Sequence, residues 1–416
     1  MASHPDTHTR LTPADYRDLL RRHLAAMFER AARSTHLPLS ACVDSVLAAD
    51  LRASVDLPLF VNSQMDGYAV RSADVAGASA EAPVRLRVVG AVHAGDGSAP
   101  RVDDDEACKV MTGALIPEGA DCVIPVEDTT PDPDGGPVDG SAVLVRAPRL
   151  TGEFLRRPGD DVRSGDVVVP AGTRLAARHL AAAASLGESG LDVRPRPRVA
   201  VVATGSELVA PGRPLRPGQI WESNSVTLAA ALKASGCEVI RTITSGDARE
   251  EFTAALETAV GGADLVVTVG AVSMGDAEVV RQVLSGRDGA RFAPIAMQPG
   301  GPQGLSTWRN TPVVCLPGNP VSAMVSFAVL LRPVILEAVG RAPIEPIRAR
   351  LSRNVTSPAG RVQYLRAALG SDNTAEPVSG PGSHLVASMA RADVLVEIPA
   401  DVTELAAGTE VEALPL

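Results

Sequence analysis

Three runs in the middle of the chain, residues 199–203, 265–269 and 313–316, are apolar at nearly every position. Each stops in a small-residue turn before helical spacing resumes. The turns are Thr204-Gly205-Ser206-Glu207, Gly270-Ala271-Val272-Ser273-Met274-Gly275-Asp276 and Pro317-Gly318-Asn319-Pro320. Strands without inside–outside alternation, interleaved with helices, predict a parallel-rich sheet covered on both faces, a three-layer α/β arrangement. Such sheets take ligands outside the carboxyl ends of their strands, where glycine turns and helix N-termini present N–H groups to an anion. The pattern therefore predicts one pocket, three loops and a phosphate-bearing ligand.

The flanks read differently. Thr12-Pro13-Ala14-Asp15 is a helix start with an N-cap, and residues 16–32 carry apolar positions at helical spacing. From 58 to about 150 the pattern becomes short alternating runs, at 85–89, 108–111, 122–125 and 142–146, with a turn-rich stretch at 131–140. That is a β-rich module. An Ala-rich helix is expected at 176–186, and Arg194-Pro195-Arg196-Pro197 makes a stiff entry into the α/β block. The block's last helix follows Pro320. Beyond Pro343, short runs at 347–351, 362–368, 394–398 and 410–413 predict a small β-barrel or sandwich.

At 416 residues and 45% hydrophobic composition the chain exceeds what one core supports, so it is multidomain. The net charge of −10 argues against nucleic acid as a partner. The first ten residues are polar and no apolar run is expected to reach a membrane span, which reads as a cytoplasmic protein. Cys42, Cys108, Cys122, Cys237 and Cys315 are odd in number and lack metal-binding spacing, and the seven histidines are dispersed. Lys109 and Lys233 are the only lysines among 39 basic residues. An anion must therefore be held by local features.

Six strings occur in order: Asn62-Ser63-Gln64-Met65-Asp66-Gly67-Tyr68-Ala69, Met111-Thr112-Gly113-Ala114, Gly159-Asp160-Asp161-Val162, Thr204-Gly205-Ser206-Glu207-Leu208, Val272-Ser273-Met274-Gly275-Asp276, and Leu316-Pro317-Gly318-Asn319-Pro320-Val321-Ser322. Together they closely resemble the molybdenum insertases, or molybdopterin molybdenumtransferases, the family that includes the E domain of gephyrin. The resemblance implies an elongated homodimer of four-domain subunits. Its domains would be a discontinuous N-terminal one (1–55 plus 151–190), an inserted β-rich module (56–150), an α/β molybdopterin-binding domain (191–340) and a C-terminal β-barrel (341–416). It also implies an activity: adenylylated molybdopterin and molybdate bind together, the adenylate is hydrolysed with Mg2+, and molybdenum enters the dithiolene with release of AMP. The site would be completed across the dimer.

Single residues inherit roles from that resemblance. Glu207 and Asp247 are expected as magnesium ligands and catalytic carboxylates, with Asp161 a third ligand; a first-turn acid and an N-cap are the plain structural alternatives for the first two. Asp66, Thr112 and Glu278 are further catalytic candidates, although an Asp-Gly pair is also simply a turn. Gly205, Ser206, Ser273, Gly275 and Asp276 are expected to bind the pterin nucleotide through the first two turns. Pro317, Gly318, Asn319, Pro320 and Ser322 would form a nest of N–H groups, and Arg361, Arg366, Ser383 and Ser388 would hold a phosphate or oxyanion.

One stretch departs from the family. Where members carry pocket lysines, this chain reads Pro294-Ile295-Ala296-Met297-Gln298-Pro299-Gly300-Gly301-Pro302. Each cation lost opposite a phosphate removes roughly 1.5–3 kcal/mol. The alternative is therefore a diverged or impaired paralogue that binds a pterin, a nucleotide or a protein partner, or acts in another biosynthetic pathway.

Overall fold

The N-cap expected at Thr12 forms, and the structure makes it a reciprocal capping box. Its hydroxyl accepts the Asp15 N–H at 3.1 Å while the Asp15 carboxylate takes the Thr12 N–H at 3.2 Å, stabilising α1, Pro13–His23, by about 1 kcal/mol. The helix does not run unbroken to Ala32. It turns at Leu24 and resumes as α2, Ala25–Ala31, which seats Leu24 and Met27 in the core already entered by Tyr16 and Leu20.

The computed structural model describes residues 10–131, 141–272, 278–380 and 382–416. The chain forms two compact units, one of Asp50–Ala171 with Arg178–Ser189, the other of Met1–Ala49, Gly172–Ala177 and Gly190–Leu416.

The first unit is built on a six-stranded sheet. Its strands are β1 Gly67–Val70, β2 Val84–Val92, β3 Glu106–Val110, β4 Cys122–Pro125, β5 Thr129–Pro131 and β6 Ala142–Val145. They lie in the order β4-β1-β3-β2-β6-β5, antiparallel except for the β2–β3 pair. Val70, Leu86, Ile124 and Val143 fill one face. Glycine is required at position 67, because a β-carbon there would overlap the carbonyl oxygen of Ile124. The Ala-rich helix is α3, Ala177–Ser185.

In the second unit the sheet comprises β7 Arg198–Thr204, β8 Glu238–Ser245, β9 Leu265–Val269, β10 Arg291–Pro294, β11 Pro302–Trp308 and β12 Thr311–Leu316, ordered β8-β7-β9-β12-β11-β10. The first four are parallel, and all five residues of β9 are buried, as their unalternating pattern required. The antiparallel pair β10–β11 was not predicted. Pro294 and Pro302 lack the N–H a ladder uses, yet they sit opposite each other at the mouth of a hairpin, where a missing N–H costs little.

Two helical layers cover the sheet. Val199, Val201, Val267 and Leu316 face α1, α4 (Asn224–Ala234) and the helical run Pro320–Val339, which comprises α7 (Pro320–Ser326), a π-turn and α8 (Arg332–Val339). On the other face Ala200, Val202, Val266 and Val313 meet Phe252 and Leu256 of α5 (Arg249–Ala259) and Val280 of α6 (Val279–Leu284). Each buried valine or leucine contributes roughly 1.5–3 kcal/mol. Contrary to expectation, one apolar run does reach membrane-spanning length. It is Pro320–Val339, and 83% of its most apolar window is buried, the burial of a core helix.

Beyond it, β13 Ile347–Leu351, β14 Val362–Leu369, β15 Thr374–Pro377, β16 Val394–Ile398 and β17 Glu410–Pro415 run in the order β14-β15-β13-β17-β16. A further β14–β16 pairing closes them into a barrel.

Candidate active site

The strand order places β7, the first in sequence, between β8 and β9, so the connection out of β7 runs one way along the sheet and the connection out of β9 the other. Open α/β sheets bind ligands at such a switch point, beyond the strands' carboxyl ends. Here the turns after β7, β9 and β12 touch one another. A β-carbon on Gly270 would lie 2.5 Å from the Thr204 carbonyl oxygen, and one on Gly318 would lie 3.1 Å from the Gly270 α-carbon. The Gly270 N–H donates to the Leu316 carbonyl at 3.2 Å. Only glycine permits this approach, which leaves little but backbone at the centre of the edge.

The turn after β8 joins from the other side. Ser206 N–H donates to Asp247 Oδ2 at 2.9 Å, and Asp247 N–H donates to Ser206 Oγ at 3.2 Å. Glu207 is exposed and folds its carboxylate back over Gly205. Glu207 and Asp247 thus stand on neighbouring turns, both open to solvent. Among the described residues no three His, Cys, Asp or Glu side chains converge on one point. Glu278 is half-buried at the N-terminus of α6 and its side chain makes no capping bond.

Residues 317–322 lead from these turns to a cavity of about 310 Å³. Asn319 occupies the N-cap position of α7 without a capping bond from its side chain, and the Gly318 carbonyl accepts Asn224 Nδ2 at 2.7 Å. Three residues on, Ser322 lines the cavity with Ser383, Arg361, Arg10 and the hairpin loop between β10 and β11. The backbone explains how the two arginines arrive. The Ala296 N–H donates to the Leu11 carbonyl at 2.8 Å, which sets Arg10 beside the loop. Met297–Gln298 pairs with Val362 and Gln363 of β14, which sets Arg361 on the other side. The loop is anchored below by Gln303, whose Nε2 donates to the Gly300 carbonyl and to Ser326 Oγ, each at 2.7 Å.

Not every predicted ligand residue lines this cavity. Arg366 is 4% exposed, and its guanidinium donates to the carbonyls of Gly380, Gly382 and Leu385. It orders the loop that carries Ser383 and is spent in doing so. Ser388 lies in the short helix Val386–Met389, away from the cavity lining.

In the other unit, the Asp66 carboxylate accepts the Thr112 N–H at 2.6 Å and its hydroxyl at 2.8 Å. Those two bonds hold the carboxyl below its usual 3.8, with a smaller pull from Lys109. Asp161 is exposed at the rim of a separate cavity that Leu57, Val168 and Leu186 also line.

Comparisons with known proteins agree with this architecture. Family models match in series: the MoeA N-terminal region (domain I and II) over residues 11–187, the probable molybdopterin binding domain over 200–337, and the MoeA C-terminal region (domain IV) over 348–416. Molybdopterin molybdenumtransferase 2 of Mycobacterium tuberculosis is 43% identical over 404 residues, covering 94% of this chain and 98% of its own. The chain belongs to the MoeA family. The molybdopterin molybdenumtransferase of Haemophilus influenzae is 32% identical, covering 92% of this chain and 94% of its own. Among solved structures, the molybdopterin biosynthesis MoeA protein from Pyrococcus horikosii superposes with a TM-score of 0.78 at 34% identity, covering 95% of this chain and 98% of that one.

Within this MoeA-family fold, the touching turns were legible in advance, since glycines after apolar runs announced them. Arg10 and Asn224 were missed. Arg10 reaches the cavity only through a long-range backbone pairing at Leu11, and Asn224 opens α4 in a Ser-Asn-Ser run that reads as an ordinary helix start. Ser273, Gly275 and Asp276 lie outside the described residues.

Proposed function

We propose that this chain is a molybdopterin molybdenumtransferase that binds adenylylated molybdopterin and molybdate at the carboxyl edge of β7, β9 and β12. The observation that carries this reading is the contact of Thr204, Gly270 and Gly318, which makes one anion-accepting edge in a chain similar to molybdenumtransferases along nearly its whole length. Water attacks the adenylyl phosphorus, the phosphoanhydride P–O bond breaks and AMP leaves; the two dithiolene sulfurs then bond to molybdenum as one Mo–O bond of molybdate breaks, its oxygen departing as water with the two thiol protons.

The chain's own groups divide the task. Backbone N–H groups of the turns, with the side chain of Asn319, orient the phosphates. The loop 295–301 and Ser383 wall the 310 Å³ cavity, where Arg361 and Arg10 supply the positive charge that Pro294, Gln298 and Gly301 do not. Glu207 and Asp247 would hold Mg2+, which neutralises phosphate charge when bound. Positioning and charge neutralisation account for most catalysis of phosphoryl chemistry.

In this reading the protein acts in the cytoplasm as a homodimer, and a second copy supplies the Asp66–Thr112 pair. Ile220, Trp221 and Val226, exposed by 53%, 55% and 60%, support a self-association surface.

AMP release from adenylylated molybdopterin with molybdate and Mg2+ tests the function. Arg361→Ala is expected to lower kcat/KM by roughly tenfold to a hundredfold, the loss of one charge-assisted contact, with Arg361→Lys intermediate. No AMP from the unaltered chain, and none after Pro294→Lys with Gln298→Lys, would reject the enzyme and favour the diverged paralogue.

A further inference from the structure

A second cavity of the same unit, about 560 Å³, opens at the amino ends of β7 and β8, the opposite edge of the sheet from the touching turns. Arg30, Arg194, Arg196, Arg198 and Lys233 line it, against the single carboxylate of Glu238. Two of these arginines are partly satisfied. Arg30 pairs with Asp264 at 2.9 Å, and Arg196 donates to the Val43 carbonyl at 2.9 Å. An adjoining hollow shares Arg194 and Arg196 and adds Arg341. Burial holds Arg341 below its ordinary value; the charges of Arg174 and Arg196 push it down and that of Asp44 pulls it back, while its guanidinium donates to the carbonyls of Ala234 and Asp44. Asp44 and Asp264, the neighbouring acids, already accept Arg174 and Arg30.

This concentration of positive charge stands in a chain of net charge −10. Like charges held together repel, and an anion among them relieves the repulsion. Guanidinium groups match phosphate oxygens in pairs. The rest of the wall is different in kind, with Leu37, Ala41 and Val239 apolar and Thr35 and Ser45 bearing hydroxyls. The volume exceeds what a bare oxyanion fills and falls in the ~300–1,000 Å³ range of organic-ligand sites.

We propose that this cavity binds a phosphate-bearing organic anion of nucleotide size, its phosphate held by Arg194, Arg196 and Lys233 and its organic part against Leu37, Ala41 and Val239. The site is distinct from the touching turns and does not depend on the transferase reading.

The two lysines make a site-resolved test. Lys233 lines this cavity and Lys109, in the other unit, does not, so acylation of the intact chain by an amine-reactive ester, read peptide by peptide by mass spectrometry, reports each separately. With AMP at about ten times its dissociation constant for this cavity, Lys233 should react about tenfold more slowly, irrespective of any change at Lys109. Adenosine should not protect, inorganic phosphate should protect less than AMP, and Arg194→Gln with Arg196→Gln should remove the protection. Unchanged Lys233 reactivity in millimolar AMP overturns the proposal. So does protection confined to Lys109, which would report AMP at the transferase site instead. Equal protection by phosphate alone rejects the organic ligand, and equal protection by adenosine rejects the anion. These arms use the unaltered chain, so misfolding of the arginine variant leaves them decisive.

Discussion

Asp66 illustrates how a solvent-reached carboxylate can still be fixed. Both of its bonds come from Thr112, across 46 residues of chain, and they favour the charged form. A depressed folded-state value means that the pair's stabilisation is present above the ordinary 3.8 and is lost as pH falls through the lower folded midpoint. The carboxyl resonance of Asp66 should therefore titrate below 3.8, and Thr112→Val, which removes the hydroxyl donor, should raise the midpoint. A midpoint unchanged by that substitution would contradict the geometry. The cysteines offer a second residue-scale check. All five are buried and unpaired, and burial pushes the thiols of Cys122, Cys237 and Cys315 up to about 12 and that of Cys108 to about 11. Since the thiolate is the nucleophile, an aromatic disulfide reagent at pH 8 should find essentially no reactive thiol until the chain is denatured, when all five respond.

The hairpin loop between β10 and β11 sets the limit of what sequence could convey at the scale of elements. Apolar runs foretold β7, β9 and β12, and the glycines after them foretold where the turns would meet, because period and turn chemistry are local signals. The string at 294–302 announced only a missing charge. Its structure depends on three partners far away in sequence, Leu11, Val362 and Ser326, and no local pattern encodes pairings of that range. Arg366 shows the same limit in reverse: an arginine in the expected place proved to be the brace of a neighbouring loop. Gly300 is the point where the loop meets the helix behind it. Its φ is +92°, and a β-carbon would press on Ser326 Oγ. Gly300→Ala should cost about 1–3 kcal/mol and shift the loop, lowering the thermal midpoint and AMP release together. Ser326→Gly on the Gly300→Ala background makes room for the added methyl and should recover part of both. Wild-type stability in the single variant would mean that the loop does not rest on that helix.

Charge and apolar surface are unevenly spread over the whole molecule, and each asymmetry has its own consequence. Basic side chains gather around two cavities of one unit although acids outnumber bases by 49 to 39 overall. Low salt should therefore strengthen anion binding locally without making the protein a general polyanion binder. The apolar asymmetry concerns self-association. Ile220, Trp221 and Val226 fall within seven residues, the first two on a strand paired with Leu208–Val209 and the third on α4. Single exposed apolar side chains are ordinary, but a tryptophan more than half exposed, with two exposed aliphatic side chains within seven residues of chain, is where we propose that a second copy covers an apolar patch by two-fold symmetry. The indole Nε1 is already satisfied by the Arg213 carbonyl at 2.8 Å, so the ring can be buried without orphaning a donor. Trp221→Glu puts a charge in the middle of that patch and disturbs nothing in the core. The unaltered chain should sediment as a dimer at micromolar concentration and the variant as a monomer with a similar circular-dichroism spectrum. If the second copy also supplies Asp66 and Thr112, AMP release should fall in the variant in step with its dimer fraction and recover at high protein concentration. A monomer that keeps full activity would separate the patch from the chemistry, and a wild-type monomer would remove the dimer altogether.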